Sequence, residues 1–228
     1  MADAARAPAD AVAAALDGVA DIGGFFALRV GGPDAGWHPV RHFYAHGFAG
    51  LSAAVSDRYR APDLRVGVSI AQLGHAARLW SPVLASTLLH GIVPDLGALQ
   101  HAGTGSEVRL PRPAGWYADR LPDRTGAMYA QVMGHLSTLE AGLGVKIAPR
   151  LLDGNAASAL AGSAGVLRAA HPGLRAPLTA LVTELLATGR LVGTGRITGP
   201  DLAFRRRSCC LYYRAPTGAK CGDCCLAG

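Results

Sequence analysis

The first 208 residues contain no cysteine at all. The body of the chain therefore has no disulfide or thiolate staple and must be held by a packed core. Aromatic residues make up only 6% and charged residues only 17% of the sequence, while half of it is hydrophobic. That balance excludes a solvated, disordered chain and fits a compact domain. Long apolar runs are missing too. The longest uncharged one, Leu79 to Val93, contains Pro82 and His90 and falls short of the roughly 20 residues that a membrane-spanning helix needs. The N-terminal stretch lacks a basic region ahead of an apolar run and is interrupted by Asp3, Asp10 and Asp17, so no secretory signal is expected. These absences predict a soluble, cytoplasmic protein with at most peripheral membrane contact. No catalytic triad stands out. His42 and His46, four apart, lack a carboxylate to complete a metal motif and read as an ordinary helical pair. Gly193, Gly195 and Gly199 have the wrong spacing for a dinucleotide loop, and no βαβ pattern surrounds them.

What is present is alanine, leucine and glycine, which predicts helices broken by many turns. Helices are expected over 8–20, 42–59, 64–79, from Ser81-Pro82 to about His90, over 127–143, over 156–170 with Asn155 as N-cap, and over 176–188. Short strands are expected at 25–30 and 107–110. The fold class is mainly α with a few short β-strands, an α+β body. The division expected is a helix-rich domain over 1–195 and a small C-terminal segment over 196–228, too small to fold without a metal or the domain beneath it.

All five cysteines lie in that segment: Cys209-Cys210, then Cys221-Gly222-Asp223-Cys224, then Cys225. So does most of the charge. Arg196, Arg205, Arg206, Arg207, Arg214 and Lys220 face only Asp201 and Asp223, a net +4 out of the chain's +6. Nucleic-acid binders spread basic residues along a face, and no DNA-reading helix motif is present, so no nucleic-acid partner is expected. Disulfides suit neither the odd count nor a reducing compartment. Four thiolates suit tetrahedral zinc or a 2Fe–2S cluster, and either would carry about −2, which the basic neighbours would offset. Spacing and charge leave these two open. Cys225 reads as a small apolar residue.

The run Arg207-Ser208-Cys209-Cys210-Leu211-Tyr212-Tyr213-Arg214-Ala215-Pro216, with Cys221-Gly222-Asp223-Cys224 after it, resembles the C-terminal motif of the FhuF-type ferric-siderophore reductases. Their pattern is Cys-Cys, ten residues, Cys, two residues, Cys, and the adjacent pair is rare. Upstream, Ala77-Arg78-Leu79-Trp80-Ser81-Pro82 and the segment from Leu151 to Leu160 are similar to family segments, although an aromatic is expected where Asp153 stands. The resemblance implies a 2Fe–2S cluster held by Cys209, Cys210, Cys221 and Cys224. It further implies a helix-rich N-terminal domain and one-electron reduction of a ferric siderophore, of hydroxamate type, which releases the iron as Fe(II). No nucleophile or acid–base pair is then required, and the electron comes from an external ferredoxin or flavoprotein. Arg205, Arg206, Arg207 and Arg214 are candidates for cluster neighbours or a donor-docking patch. Arg78, Trp80 and Trp116 are candidates for a siderophore pocket. The competing function is an iron–sulfur or zinc-binding sensor without reductase activity.

Overall fold

A computed structural model describes residues 5–199 and 201–226. Its helices are α1 (Ala9–Asp17), α2 (Val40–Tyr44), α3 (Ala49–Arg58), α4 (Leu64–His90), α5 (Arg124–Ala141), α6 (Pro149–Ala170) and α7 (Arg175–Leu186). The strands are short: β1 (Arg29–Val30), β2 (His38–Pro39), β3 (Ile92–Pro94), β4 (Gln100–His101), β5 (Val108–Leu110), β6 (Gly115–Tyr117), β7 (Gly195–Ile197) and β8 (Phe204–Arg206). They form a four-stranded sheet in the order β1-β5-β4-β2 and two antiparallel pairs, β3-β6 and β7-β8. The mainly helical class expected from composition is the one observed. Among the described residues, no helix is long and apolar enough to cross a membrane.

The axis of the molecule is α4, 27 residues long, packed along α6. Sequence punctuation predicts two helices here, but one continuous helix runs through Pro82. Burial on both sides of the proline explains this: Leu79, Trp80, Val83 and Leu84 are all in the core, and the Ser81 and Ser163 hydroxyls join α4 to α6 at 2.8 Å. That packing outweighs one missing backbone hydrogen bond. The reverse occurs at 42–59, where one expected helix is two. Gly47 and Phe48 both take left-handed backbone angles, φ 57° and 53°. The chain must turn there because the ends of α2 and α5 touch. A Cβ on Gly142 would overlap the Tyr44 carbonyl, and one on Gly47 would sit 2.7 Å from the Gly142 carbonyl oxygen. The strand expected over 25–30 shrinks to Arg29–Val30, because Phe26 N–H closes a turn onto Gly23. Asn155 is not an N-cap. Helix α6 begins at Pro149, a favoured first-turn position, and Asn155 is fully buried in its interior.

A buried polar chain ties α2, α4 and α5 together. The Leu96 carbonyl can only accept, so His135 Nε2–H donates to it at 2.9 Å. His135 Nδ1 then accepts from the Tyr44 hydroxyl at 3.0 Å. The Tyr44 oxygen in turn accepts from His75 Nε2–H at 2.6 Å. Burial pushes His75 well below the usual imidazole range, and His135 and His101 also downward. All three are neutral in the fold and would take protons on unfolding below about pH 6.5. The unfolded state then binds more protons, so stability should fall with falling pH, by up to about 1.4 kcal/mol per pH unit for each histidine. Urea unfolding at pH 7.5, 6.5 and 5.5 checks this. A flat stability across that range would show that the histidines charge inside the fold.

Candidate metal centre

The β7-β8 hairpin delivers the cysteine segment to the body. Strand alternation separates the three arginines: Phe204 and Arg206 face inward, Arg205 is half-buried and Arg207 is exposed. After β8 the chain is pinned at Arg207 N–H to the Thr194 carbonyl (2.8 Å) and at Arg206 N–H to the Asp223 carbonyl (3.1 Å). The second of these folds the Cys221–Cys224 loop back against the start of the segment. Leu211 turns the chain with φ 66°, and its N–H donates to Cys209 Sγ at 3.3 Å. Cys224 N–H closes a turn onto the Cys221 carbonyl at 3.1 Å. Leu226 N–H donates to Cys224 Sγ at 3.4 Å. Donors aimed at sulfur favour a thiolate.

The four motif cysteines are thereby gathered. Cys210 and Cys224 are buried, Cys209 and Cys221 half-buried. Cys210 Sγ and Cys221 Sγ stand 3.6 Å apart, near the separation of two sulfurs bound tetrahedrally to one metal at about 2.3 Å. Among the described residues, no three His, Cys, Asp or Glu side chains converge on a point that one ion could occupy. Four thiolates suit either a tetrahedral zinc or a two-iron cluster. Burial pushes the Cys209 and Cys221 thiols up, with the Asp223 carboxylate adding to the effect at Cys221. Such thiols keep their protons unless a metal replaces them. Cys225 is half-buried, and it and Cys224 lie close enough to Cys209 to raise its thiol further.

The strongest sign of an anionic occupant is Arg206. Its side chain is 1% exposed. One donor, Nη2, reaches Asn155 Oδ1 at 2.6 Å, while Nε and Nη1 have no acceptor in the protein. A buried guanidinium with two idle donors is costly unless a negative group faces it. A 2Fe–2S unit with four thiolates, at about −2, is such a group, so the residues fit it. Asn155 passes the arrangement on. Its Nδ2 donates to the Ser69 carbonyl and hydroxyl oxygens, both at 3.0 Å, and Ser69 Oγ donates to the Cys210 carbonyl at 2.7 Å. Immediately before Asn155, a Cβ on Gly154 would overlap Ser208 Oγ. Bare backbone there lets the cysteine segment lie directly on α6. The sequence does not single out Ser69, and Gly154 has only its place in the family-like segment from Leu151 to Leu160. The only signal for Asn155 is its place in the family-like segment, where a capping role looks simpler.

The other candidates scatter. Arg206 is no part of a surface patch, because the period of two turns it inward. Arg214 is exposed and lies 3.6 Å from Asp63, beyond the α4 N-terminus. Asp153 accepts from Arg190 Nε at 2.8 Å, and Arg190 also pairs with Glu140. This ion-pair group joins α5, α6 and the turn at 189–191. Trp80 is fully buried in the core, about two residues around α4 from Arg78. Trp116 lies on β6 with the Arg6 guanidinium 4.9 Å from its ring centre. Neither joins Arg78 at a cavity.

Arg78 does line one. A cavity of about 320 Å³ opens between α3, α4 and the 105–106 loop. Arg58, Arg78, Phe25, Tyr59, His75 and His101 are among its walls. Arg78 is fixed by donating to the Ser106 carbonyl (2.7 Å) and hydroxyl (2.6 Å), with its guanidinium 4.7 Å over the Phe25 ring. Tyr59 packs edge-on against Tyr212 at 5.4 Å, so the cavity touches the loop that follows Cys209-Cys210. His42 and His46 line a neighbouring cavity of about 480 Å³ that shares His101 and Leu51.

No curated protein and no solved structure matches the chain. Residues 206–226 match the FhuF 2Fe-2S C-terminal domain. That span runs from the buried arginine to the residue after Cys225 and contains every cysteine. The chain thus carries, over these residues, the 2Fe–2S-binding domain of the FhuF family.

Proposed function

We propose that this protein is a ferric-siderophore reductase, with Cys209, Cys210, Cys221 and Cys224 as the cluster ligands. The observation that carries the reading is the join between two sites: Tyr59, in the wall of the cationic cavity, packs on Tyr212 of the cysteine loop. When bound, the 2Fe–2S cluster supplies one electron at a time. The rest is positioning. Arg58 and Arg78 offer guanidinium donors to the anionic oxygens that hold ferric iron, and Phe25 and Tyr59 offer aromatic faces. Ser69 holds the Cys210 carbonyl and Ile70, next to it on α4, lines the cavity, which fixes the gap between cluster site and cavity. Hard anionic oxygens bind ferrous iron far more weakly than ferric, so one electron releases the metal with no bond of the siderophore broken. Such a protein works in the cytoplasm, where thiols stay reduced.

The test is anaerobic. Reduced protein mixed with a ferric trihydroxamate in the presence of a ferrous chelator should regain its oxidised visible spectrum as the ferrous complex appears. A coloured protein that reduces no ferric siderophore would leave a sensor.

The electron donor is external in this reading, an acidic ferredoxin or flavoprotein. Arg205 and Arg207 remain available to it, and Arg207 shares a cleft of about 210 Å³ with Arg150 and with Val192, which is 61% exposed. Replacing Arg150 and Arg207 with glutamine should slow donor-driven reduction by about tenfold at low salt and flatten its salt dependence. An unchanged salt dependence would remove this docking site.

A further inference from the structure

Beside the cationic cavity lies a second of about 530 Å³, and none of its lining residues is charged. It runs between α4 and α6, with Leu73, Ala77, Ala159 and Val166 among its walls. Phe25, Ile70 and Gly74 line both cavities, so the two form one trough with a charged end and an apolar end. Phe25 is the divide. It is 44% exposed, and the Arg78 guanidinium covers its ring on the charged side. The apolar end is held open by missing side chains: a Cβ on Gly74 or on Gly162 would meet nothing within 4 Å. Each cavity is large enough for part of a small-molecule ligand.

We propose that the siderophore taken by this protein is amphiphilic, with its iron-bearing head between Arg58 and Arg78 and an acyl chain in the α4–α6 groove. The inference rests on the reductase reading for the identity of the head. The groove accounts for the tail, because it is contiguous with the cationic cavity, uncharged, and open to solvent past Val166, which is 47% exposed. A purely polar siderophore would leave this surface wet and unused. An acyl chain seated there gains up to about fourfold in affinity for each methylene buried.

The experiment uses redox-inert gallium(III) complexes of a linear trihydroxamate amine, N-acetylated or N-octanoylated, titrated calorimetrically into the cluster-loaded protein below the micelle concentration. The octanoyl complex should bind at least about tenfold more tightly than the acetyl one. Gly162→Leu, which fills only the apolar end, should erase that gain and leave the acetyl affinity unchanged. Ser158→Leu, one turn away on α6, should do the same and serves as the second variant. Equal affinities in the unsubstituted protein, or a gain that survives both variants, would overturn the proposal. So would a dimer in solution that Gly162→Leu dissociates, because the groove would then belong to a second copy. Gallium accepts no electron here. Chain-length discrimination without reduction of the ferric complexes would therefore keep the trough and discard the reductase.

Discussion

Serine in place of Cys209, Cys210, Cys221 or Cys224 should give a colourless protein with little bound iron or sulfide after anaerobic purification, while Cys225→Ser should keep both. Structural metal sites of four ligands are worth about 10–16 kcal/mol, or about 3–4 kcal/mol per ligand, so losing one should cut affinity by two to three orders of magnitude. The informative comparison is between the neighbours. Cys224 is 2% exposed and its sulfur accepts from Leu226 N–H, whereas Cys225 is half-buried. Both lie near Cys209. If Cys225→Ser lost its colour and Cys224→Ser kept it, the ligand set would have to shift by one residue. Absorption spectra with iron and sulfide analysis decide between the two.

Arg206→Met should lower the reduction potential and loosen the cluster without exposing it to a new charge. The guanidinium is buried with two donors free of protein partners, so it acts on whatever anion sits beside it. One unit charge several ångströms away, at an effective dielectric near 20, is worth about 2 kcal/mol. For a one-electron couple that is a fall of about 90 mV. Arg206→Lys should lie between, keeping the charge but not the bond to Asn155 Oδ1. A potential that Arg206→Met leaves unchanged would make the arginine a purely structural strut. Redox titration followed by visible absorption reads the difference, and Asn155→Leu provides a control in which the charge stays but its orientation is lost.

Local chemistry decided what the sequence could show. The helical class followed from composition, and the cluster segment from an adjacent cysteine pair with basic neighbours. The match over 206–226 bears out the family resemblance and the cofactor. Long-range packing hid the rest. Pro82 looks like a helix start, yet α4 runs through it because α6 covers it. Asn155 reads as a helix cap and Ser69 as an ordinary helical residue until α4, α6 and β8 meet. The triple arginine reads as one patch in sequence and, in the fold, as one buried charge between a half-buried and an exposed one. The pairing of Arg78 with Arg58 across α3 and α4 has no sequence signal, since it depends on how two helices cross.

Glycines inside helices invite replacement by alanine, and α6 offers three candidates. At Gly162 and Gly165 an added methyl meets nothing, and a helix-optimising library would gain up to about 1 kcal/mol at each. At Gly154 the same change would push against Ser208 and lift the iron-binding segment off the helix that seats it. A thermostabilised variant carrying that substitution could melt later and still emerge from purification without iron. Selection for stability alone would not register the loss, so engineering of this protein needs colour as a second criterion from the first round.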